Sequence, residues 1–503
     1  MMSSLYSSCT GMKSLSVGMS SIGNNLSNTN TVGFKSAMML YQDLTSTDVS
    51  SASGNYSNGV AGGISQLGHG VSVLSNRIMF GQGGFETGTD PMDMGVSGIG
   101  FFGVQKDGVL EFTRAGNFRF TKDGDLVDPS GFNLMGSKIV NGVASGSVEP
   151  IKLDLSDKGQ TWMAPKATGS VSFIENLGST QDLSTGTNPY FSMATKWDGT
   201  SSPPLGAGSY SHATQITVYD ANGTPQALTA YYDYVGSENG NAIYEYVIAQ
   251  DPSSDAARTG KAGAGLLAAG TMTFSSTGEM TDMTMFDAPS GDHSDLSAWK
   301  PSSFGADGNP VLQAAFGSGS QPISVDFGIK LGGSWSHGYA SADAVAADPS
   351  ALYSGTPKEL AAVHSTSYSG SSVNMSSKQD GYAEGFLRNL EVTRDGYVRA
   401  SYSNNQSQDI FRVPLYRFTS QDNLRHEGGN HFSAPAEAGS IEQGYPGEEN
   451  FGSVYGQHLE QSNVDMAKEF TNLIITQRGF QMNSKVVTTS DAMLQKALEL
   501  KRQ

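Results

Sequence analysis

The chain of 503 residues is 37% hydrophobic and 9% aromatic, enough for packed cores, and its length allows three or four globular units. Sixty-two glycines and a charged fraction of only 16% favour turn-rich β structure over a long charged helical assembly. The net charge of −18 argues against a nucleic-acid partner, because phosphates select clustered Lys and Arg. The lone cysteine, Cys9, excludes an intrachain disulfide and zinc-finger spacing. No stretch approaches the ~18 apolar residues that cross a bilayer, and the first residues lack the basic and apolar regions of a cleavable signal, so a soluble chain is expected. The acidic excess is uneven. Residues 166–361 hold 7 basic and 19 acidic side chains, whereas residues 1–71 hold 2 of each. The middle is therefore expected to face water and the ends to pack.

At the N-terminus, Leu5, Met12, Met19 and Leu26 recur every seven residues, with Leu15 and Ile22 in a second seam. This spacing predicts an amphipathic helix, started by Ser3 or Ser4 and ended by the Asn-rich run 24–30 and Gly33. Residues 45–63 read as a long extended loop. Three Asp-Gly or Asn-Gly pairs then predict hairpins: Asp123-Gly124 between Phe112–Phe120 and Leu126-Val127, Asn222-Gly223 between Ile216–Tyr219 and Ala230–Tyr232, and Asp395-Gly396 between Leu390–Val392 and Tyr397-Val398. The Ala/Gly-rich stretches 253–270 and 341–350 read as surface insertions. At the far end, Ser462 and Asp465 have the spacing of a capping box, and Met466, Leu473, Phe480, Val487 and Leu494 again recur every seven, accompanied by Phe470 and Leu498. This helix of about 37 residues would span ~55 Å. Neither terminal helix has a folded body beside it in sequence, so each is expected to pack on the other and on copies from other chains.

Signatures of catalysis are sparse. There is no His-Glu-x-x-His, Gly-x-Ser-x-Gly or Walker loop. Gly98-Ile-Gly100-Phe-Phe-Gly103 matches a dinucleotide-binding pattern, but that motif must open a helix, and here it leads into a strand-like run. Asp123, Asp125 and Asp128 lack calcium-loop spacing and read as a solvated turn. No metal, cofactor or enzymatic activity is expected.

Residues 24–36, Asn-Asn-Leu-Ser-Asn-Thr-Asn-Thr-Val-Gly-Phe-Lys-Ser, resemble the N-terminal signature of the bacterial flagellar rod and hook proteins. The stretch from Thr89 through Gly100-Phe-Phe102 to Thr113-Arg-Ala-Gly-Asn-Phe118 is similar to a second block of that family. Leu459–Asp465 and Gln477–Asn483 resemble its C-terminal helix. Asp380-Gly-Tyr382, Gly385 and Tyr402-Ser-Asn-Asn405 look like the hook branch. The resemblance implies a multidomain fold in which coiled-coil helical termini pack together and mainly-β discontinuous domains nest toward the chain middle. The expected division is 1–30 with 460–503 as a helical inner core, and 31–71 with 440–459 as extended linkers. A discontinuous β domain would comprise 72–165 with 362–439, and an inserted outer β region 166–361, of one or two domains.

It further implies a structural subunit of a curved tube that polymerises with itself, transmits torque from a rotary motor, and is exported through the flagellar secretion channel to the cell exterior. The implied partners are the distal rod, hook-cap and hook–filament junction proteins and the export apparatus, with no nucleic acid or membrane. The two seams, together with Asn25, Asn28 and Phe34 of the signature, are the expected assembly interface. The competing readings are a distal-rod-type protein and a polymer scaffold carrying a binding or enzymatic module in 166–361. Three positions depart from the family pattern. Gly479 replaces a usual Ala, which weakens a helix by about 1 kcal/mol; Asn405 replaces a common Gly but tolerates positive φ; Leu5 and Cys9 occupy the positions of an export motif that usually begins with Phe.

Overall fold

A computed structural model of the chain describes residues 2–48, 66–140, 142–156, 159–178, 189–238, 240–316, 319–330, 338–353 and 359–502. Residues 49–63 of the expected loop lie outside them. The chain forms two compact units, one from Met1–Trp162 with Phe386–Gln503, the other from Met163–Gly385. Helices stand at both termini and mainly-β structure lies between them.

In the first unit, one helix runs over Met2–Ser27 and the other over Met466–Arg502. Ser3 and Ser4 lie inside the first helix instead of capping it. The second is capped by Asp465 itself, whose carboxylate accepts from the backbone N–H of Ala467 (2.9 Å) and Lys468 (3.2 Å). Asp465 is thus the N-cap residue, not the inner acid of a capping box begun by Ser462. A bulged antiparallel ribbon, Ala37–Asp43 against Val71–Ile78, follows the first helix.

The main sheet of this unit draws strands from two distant stretches of chain. Ser407–Arg412 pairs with Asn133–Val140, Leu415–Phe418 with Phe101–Lys106, and His431–Ser433 with Val109–Thr113. Its aromatic core includes Phe101, Phe112, Tyr416, Phe418 and Phe432. The Phe112 and Phe418 rings meet edge to face at 4.7 Å, a favoured aromatic geometry. The sheet cannot close until residues on both sides of the second unit are present. Gly98 and Gly100, at φ of 96° and 140°, lead into the strand Phe101–Lys106 and not into a helix. Hairpins form at Gly124 and Gly396, both at positive φ, and Asn405 sits at φ 60°.

The second unit is a two-sheet sandwich. Five strands from His212 to Asp287, with Lys300–Pro301 at the edge, make a six-stranded antiparallel meander that includes the Asn222-Gly223 hairpin. A five-stranded sheet uses Ser170–Asn176, Ser303–Phe304, Pro310–Phe316, Gly319–Asp326 and Val373–Gln379. One core, with Phe173, Tyr246, Met272 and Ile323, lies on one face of the meander; a second, with Phe191, Val247, Trp299 and Val345, covers the other. Residues 253–270 are therefore not wholly a surface insertion. Leu266–Phe274 is a strand buried along its full length, and its Ala and Gly residues fit because both faces are covered. A Cβ at Gly270 would fall 2.6 Å from the Tyr246 hydroxyl. Likewise Ala342–Ala347 is a helical turn with Ala342 and Val345 buried.

Candidate assembly interface

The two terminal helices pack antiparallel. A Cβ added at Gly11 would lie 3.1 Å from Asn483 Nδ2, and one at Gly479 would lie 3.2 Å from Leu15 Cδ1. Small residues of each helix thus meet larger side chains of the other. Ser8, Gly11, Ser14 and Gly18 are buried on the first helix, and Ser490 on the second. Ser14 and Gly18 face the ribbon, where Ser14 donates to the Val71 carbonyl at 3.3 Å and a Cβ at Gly18 would meet the Tyr41 hydroxyl. Leu5, Met12, Leu15, Met19, Ile22 and Leu26 are half-buried, as are Leu473, Phe480, Val487 and Leu494. Met466, Phe470 and Leu498 instead face outward, more than half exposed.

Outward-facing apolar residues continue along the C-terminal helix. Ile475 and Met482 are 64% and 68% exposed, and Val486, Met493 and Leu500 are also exposed. Ile475 and Met482 are seven residues apart, as are Val486, Met493 and Leu500, so the helix carries a second apolar stripe besides the one against its partner. The periodicity of the first seam concealed it.

Below the helices, the three signature blocks converge on one buried ion cluster. Glu460 accepts from Lys35 Nζ at 2.6 Å, from Arg114 Nη1 at 3.2 Å and from the Gly83 N–H at 2.9 Å. Its carboxylate and the Lys35 ammonium are wholly buried, and the Arg114 guanidinium nearly so. Lys35 also donates to the Gly81 carbonyl, and Arg114 to those of Val96 and Gly98. Burial lowers the Lys35 and Arg114 pKa values, and the Glu460 charge opposes the fall. Such a cluster is stable only while all members are present, because removing one strands the others without water.

Neighbouring amides fasten the helices to the same region. Asn25 accepts from Ala37 N–H at 2.9 Å and donates to the Ala37 carbonyl at 2.8 Å. Asn463 accepts from Ser36 N–H at 2.7 Å and donates to the carbonyls of Met79 and Gly81. Asn28 caps its own helix end through Asn24 and Thr31, and Phe34 is buried beside them. Gly33, at φ +69°, has no room for a side chain: a Cβ would lie 2.5 Å from Ala115 N.

Residue-level reading missed Lys35, Arg114, Glu460 and Asn463. A usable signal existed, since Lys35 is the only charge between residues 14 and 42 and Glu460 the only one between 451 and 464. The acidic turn also differs from expectation. Asp128 is buried, bonded to His431 Nε2 at 2.6 Å and to the N–H groups of Ser130 and Phe132. Asp125 pairs with Lys152.

Three family descriptions match the chain. They are a flagellar hook protein FlgE/F/G D1 domain over residues 95–164, a flagellar basal body protein FlaE D2 domain over 188–382, and a flagellar basal body rod FlgEFG protein C-terminal region over 455–500. The flagellar hook protein FlgE of Borreliella burgdorferi is 28% identical with both chains fully covered. That of Treponema pallidum is 27% identical, also over both full lengths, and that of Escherichia coli is 26% identical over 98% of each chain. A crystal structure of Helicobacter pylori flagellar hook protein FlgE2 aligns at a TM-score of 0.44 and 14% identity, covering 75% of this chain and 100% of that one. Helical ends around a discontinuous β body, together with the three matched segments, point to a structural protein of the flagellar rod and hook class. Within that class the full-length likeness is to flagellar hook proteins, which supports a structural subunit of the hook.

Proposed function

We propose that this subunit builds the wall of a curved, flexible joint through its terminal helices, and that the joint passes torque from the rotary motor to the filament. The observation that carries this reading is the second apolar stripe of the C-terminal helix, exposed in the isolated chain although the opposite stripe is packed. In a homopolymer each copy presents the same helix to its neighbours, so the stripe is covered by the helices of adjacent copies. Met466, Phe470 and Leu498 lie on a different face of the helix from this stripe, and the half-buried seam residues set the pairing within one chain. Residues 163–385 have their own complete cores and supply contacts that change as the tube bends. The chain acts without catalysis. It leaves the cell through the flagellar export apparatus, and meets the distal rod, hook-cap and hook–filament junction proteins at the ends of the tube.

Ile475→Asp tests the assignment. An unpaired carboxylate in a dry contact costs several kcal/mol, repeated at every subunit. The free subunit should keep its circular dichroism and melting behaviour, while electron microscopy of the salted-out protein should show no tubes. Tubes of normal diameter from this variant would overturn the reading.

A further inference from the structure

The apolar surface around the terminal helices is rich in methionine. Met466, Met482 and Met493 on the C-terminal helix are 54%, 68% and 54% exposed, and Met38 and Met79 of the ribbon region are 44% and 38% exposed. Met38 and Met79 line a groove of about 330 Å³ together with Ile22 and Ile475, so the ribbon thioethers border the outward stripe. Elsewhere in the same unit methionine is sealed: Met92 is 3% exposed and Met94 wholly buried. Thioethers suit a contact that must repack, because the side chain is unbranched and polarizable. They also bring a chemical liability that Leu or Ile would not.

We infer that Met482 and Met493 of the outward stripe form a redox-sensitive modification site, at which peroxide-class oxidants block assembly of the free subunit. This rests on the proposed role of the outward stripe. In the reaction the sulfur lone pair attacks one peroxide oxygen and the O–O bond breaks. A sulfur–oxygen bond forms, the sulfur gives up two electrons, and the second oxygen leaves as water or an alcohol. The product is a sulfoxide, polar and reducible by methionine sulfoxide reductases. Burying its oxygen in an apolar contact without a partner carries the usual penalty of an unsatisfied polar group. Each oxidised position should raise the protein concentration needed for assembly about tenfold. Once in a tube, the same sulfurs are covered and react slowly, so the site acts on subunits before they are incorporated.

The test uses the full chain with Cys9→Ser, which removes the competing thiol. Free subunits and preformed tubes are treated with hydrogen peroxide, sulfoxides are mapped by mass spectrometry, and the subunits are then salted out and imaged. The expected result is fast oxidation of Met482 and Met493 in free subunits, slow oxidation in tubes, and no reaction at Met92 or Met94. Oxidised subunits should fail to form tubes until treated with sulfoxide reductase. The M482L/M493L variant conserves volume and should assemble with or without oxidant. Normal assembly of subunits fully oxidised at both positions overturns the inference, even where protection in tubes upholds the interface. Equal oxidation rates in tubes and free subunits instead overturn the interface itself. Oxidant sensitivity that persists in the double-Leu variant also overturns the inference.

Discussion

The terminal helix pair and the 163–385 unit treat apolar side chains in opposite ways. In the sandwich, Tyr246, Met272, Phe274 and Trp299 are wholly buried, and the central strands Asn241–Gln250 and Leu266–Phe274 are covered on both faces. In the helix pair the approach is set at Gly11 and Gly479, seam residues such as Leu15 and Phe480 stay half-buried, and Ile475 and Met482 face solvent. Since burial of apolar area drives both folding and association, one region completes its burial within the chain, and on the proposed function the other completes it on assembly. Within the first unit, the Lys35–Glu460–Arg114 cluster ties the helix roots to the strands.

The largest effect that separates the two is expected at Glu460. Glu460→Gln leaves Lys35 and Arg114 buried without their counter-charge, which should destabilise the first unit by about 3–5 kcal/mol. Urea unfolding should show the transition of the first unit shifting while that of the 163–385 unit stays in place. Next, Leu228→Ala in the sandwich core should cost about 2–5 kcal/mol, with the transition of the second unit moving instead. Tube formation below that transition should be unchanged. Loss of tubes from this variant would mean the sandwich is needed for the wall.

A smaller effect should come from pH. His431 lies between Asp128 at 2.6 Å and Glu111 at 3.1 Å, an arrangement in which both ring nitrogens donate. Burial pulls its pKa down, but the hydrogen bond and charge of Asp128, with those of Glu111, outweigh this and raise it. Burial pushes Asp128 up, but bonds from His431, Phe132 and Ser130 leave it lowered. The imidazolium contribution is therefore complete below the unfolded value of about 6.5 and is lost as pH rises through the raised folded value. The carboxylate contribution is complete above about 3.9 and is lost as pH falls through the lowered one. Melting of the first unit should be most stable between those limits. His431→Gln should flatten the alkaline limb, lowering stability near pH 5 by about 1.5–3 kcal/mol, the worth of a charge-assisted bond.

Much of this organisation was legible before any coordinates. The seven-residue spacing located both terminal helices, and three Gly-containing turns located hairpins, because these signals are local. What failed was local reading of features set by distant partners. Leu266–Phe274 looks like a loop from its Ala and Gly, yet those residues are small because the strand is covered on both faces. The heptad spacing points to Leu and Met for the helix seam but gives no sign of Gly11 and Gly479, where the other helix's Asn483 and Leu15 come close. Gly479, which looks like a weak point in the helix, is the place where Leu15 seats. Lys35, Arg114 and Glu460 are spread over 425 residue positions, so their meeting could be found only from the fold.

Hydrogen exchange of the intact chain, measured free and in tubes, tests most directly whether the helices are completed by neighbouring copies. Stability varies between regions of one chain, and exchange reports it amide by amide. The account predicts that amides of Met2–Ser27 and Met466–Arg502 exchange readily in the free subunit and become strongly protected in tubes, while strands such as Leu266–Phe274 are protected equally in both. Equal protection of the terminal helices in the two states would contradict it.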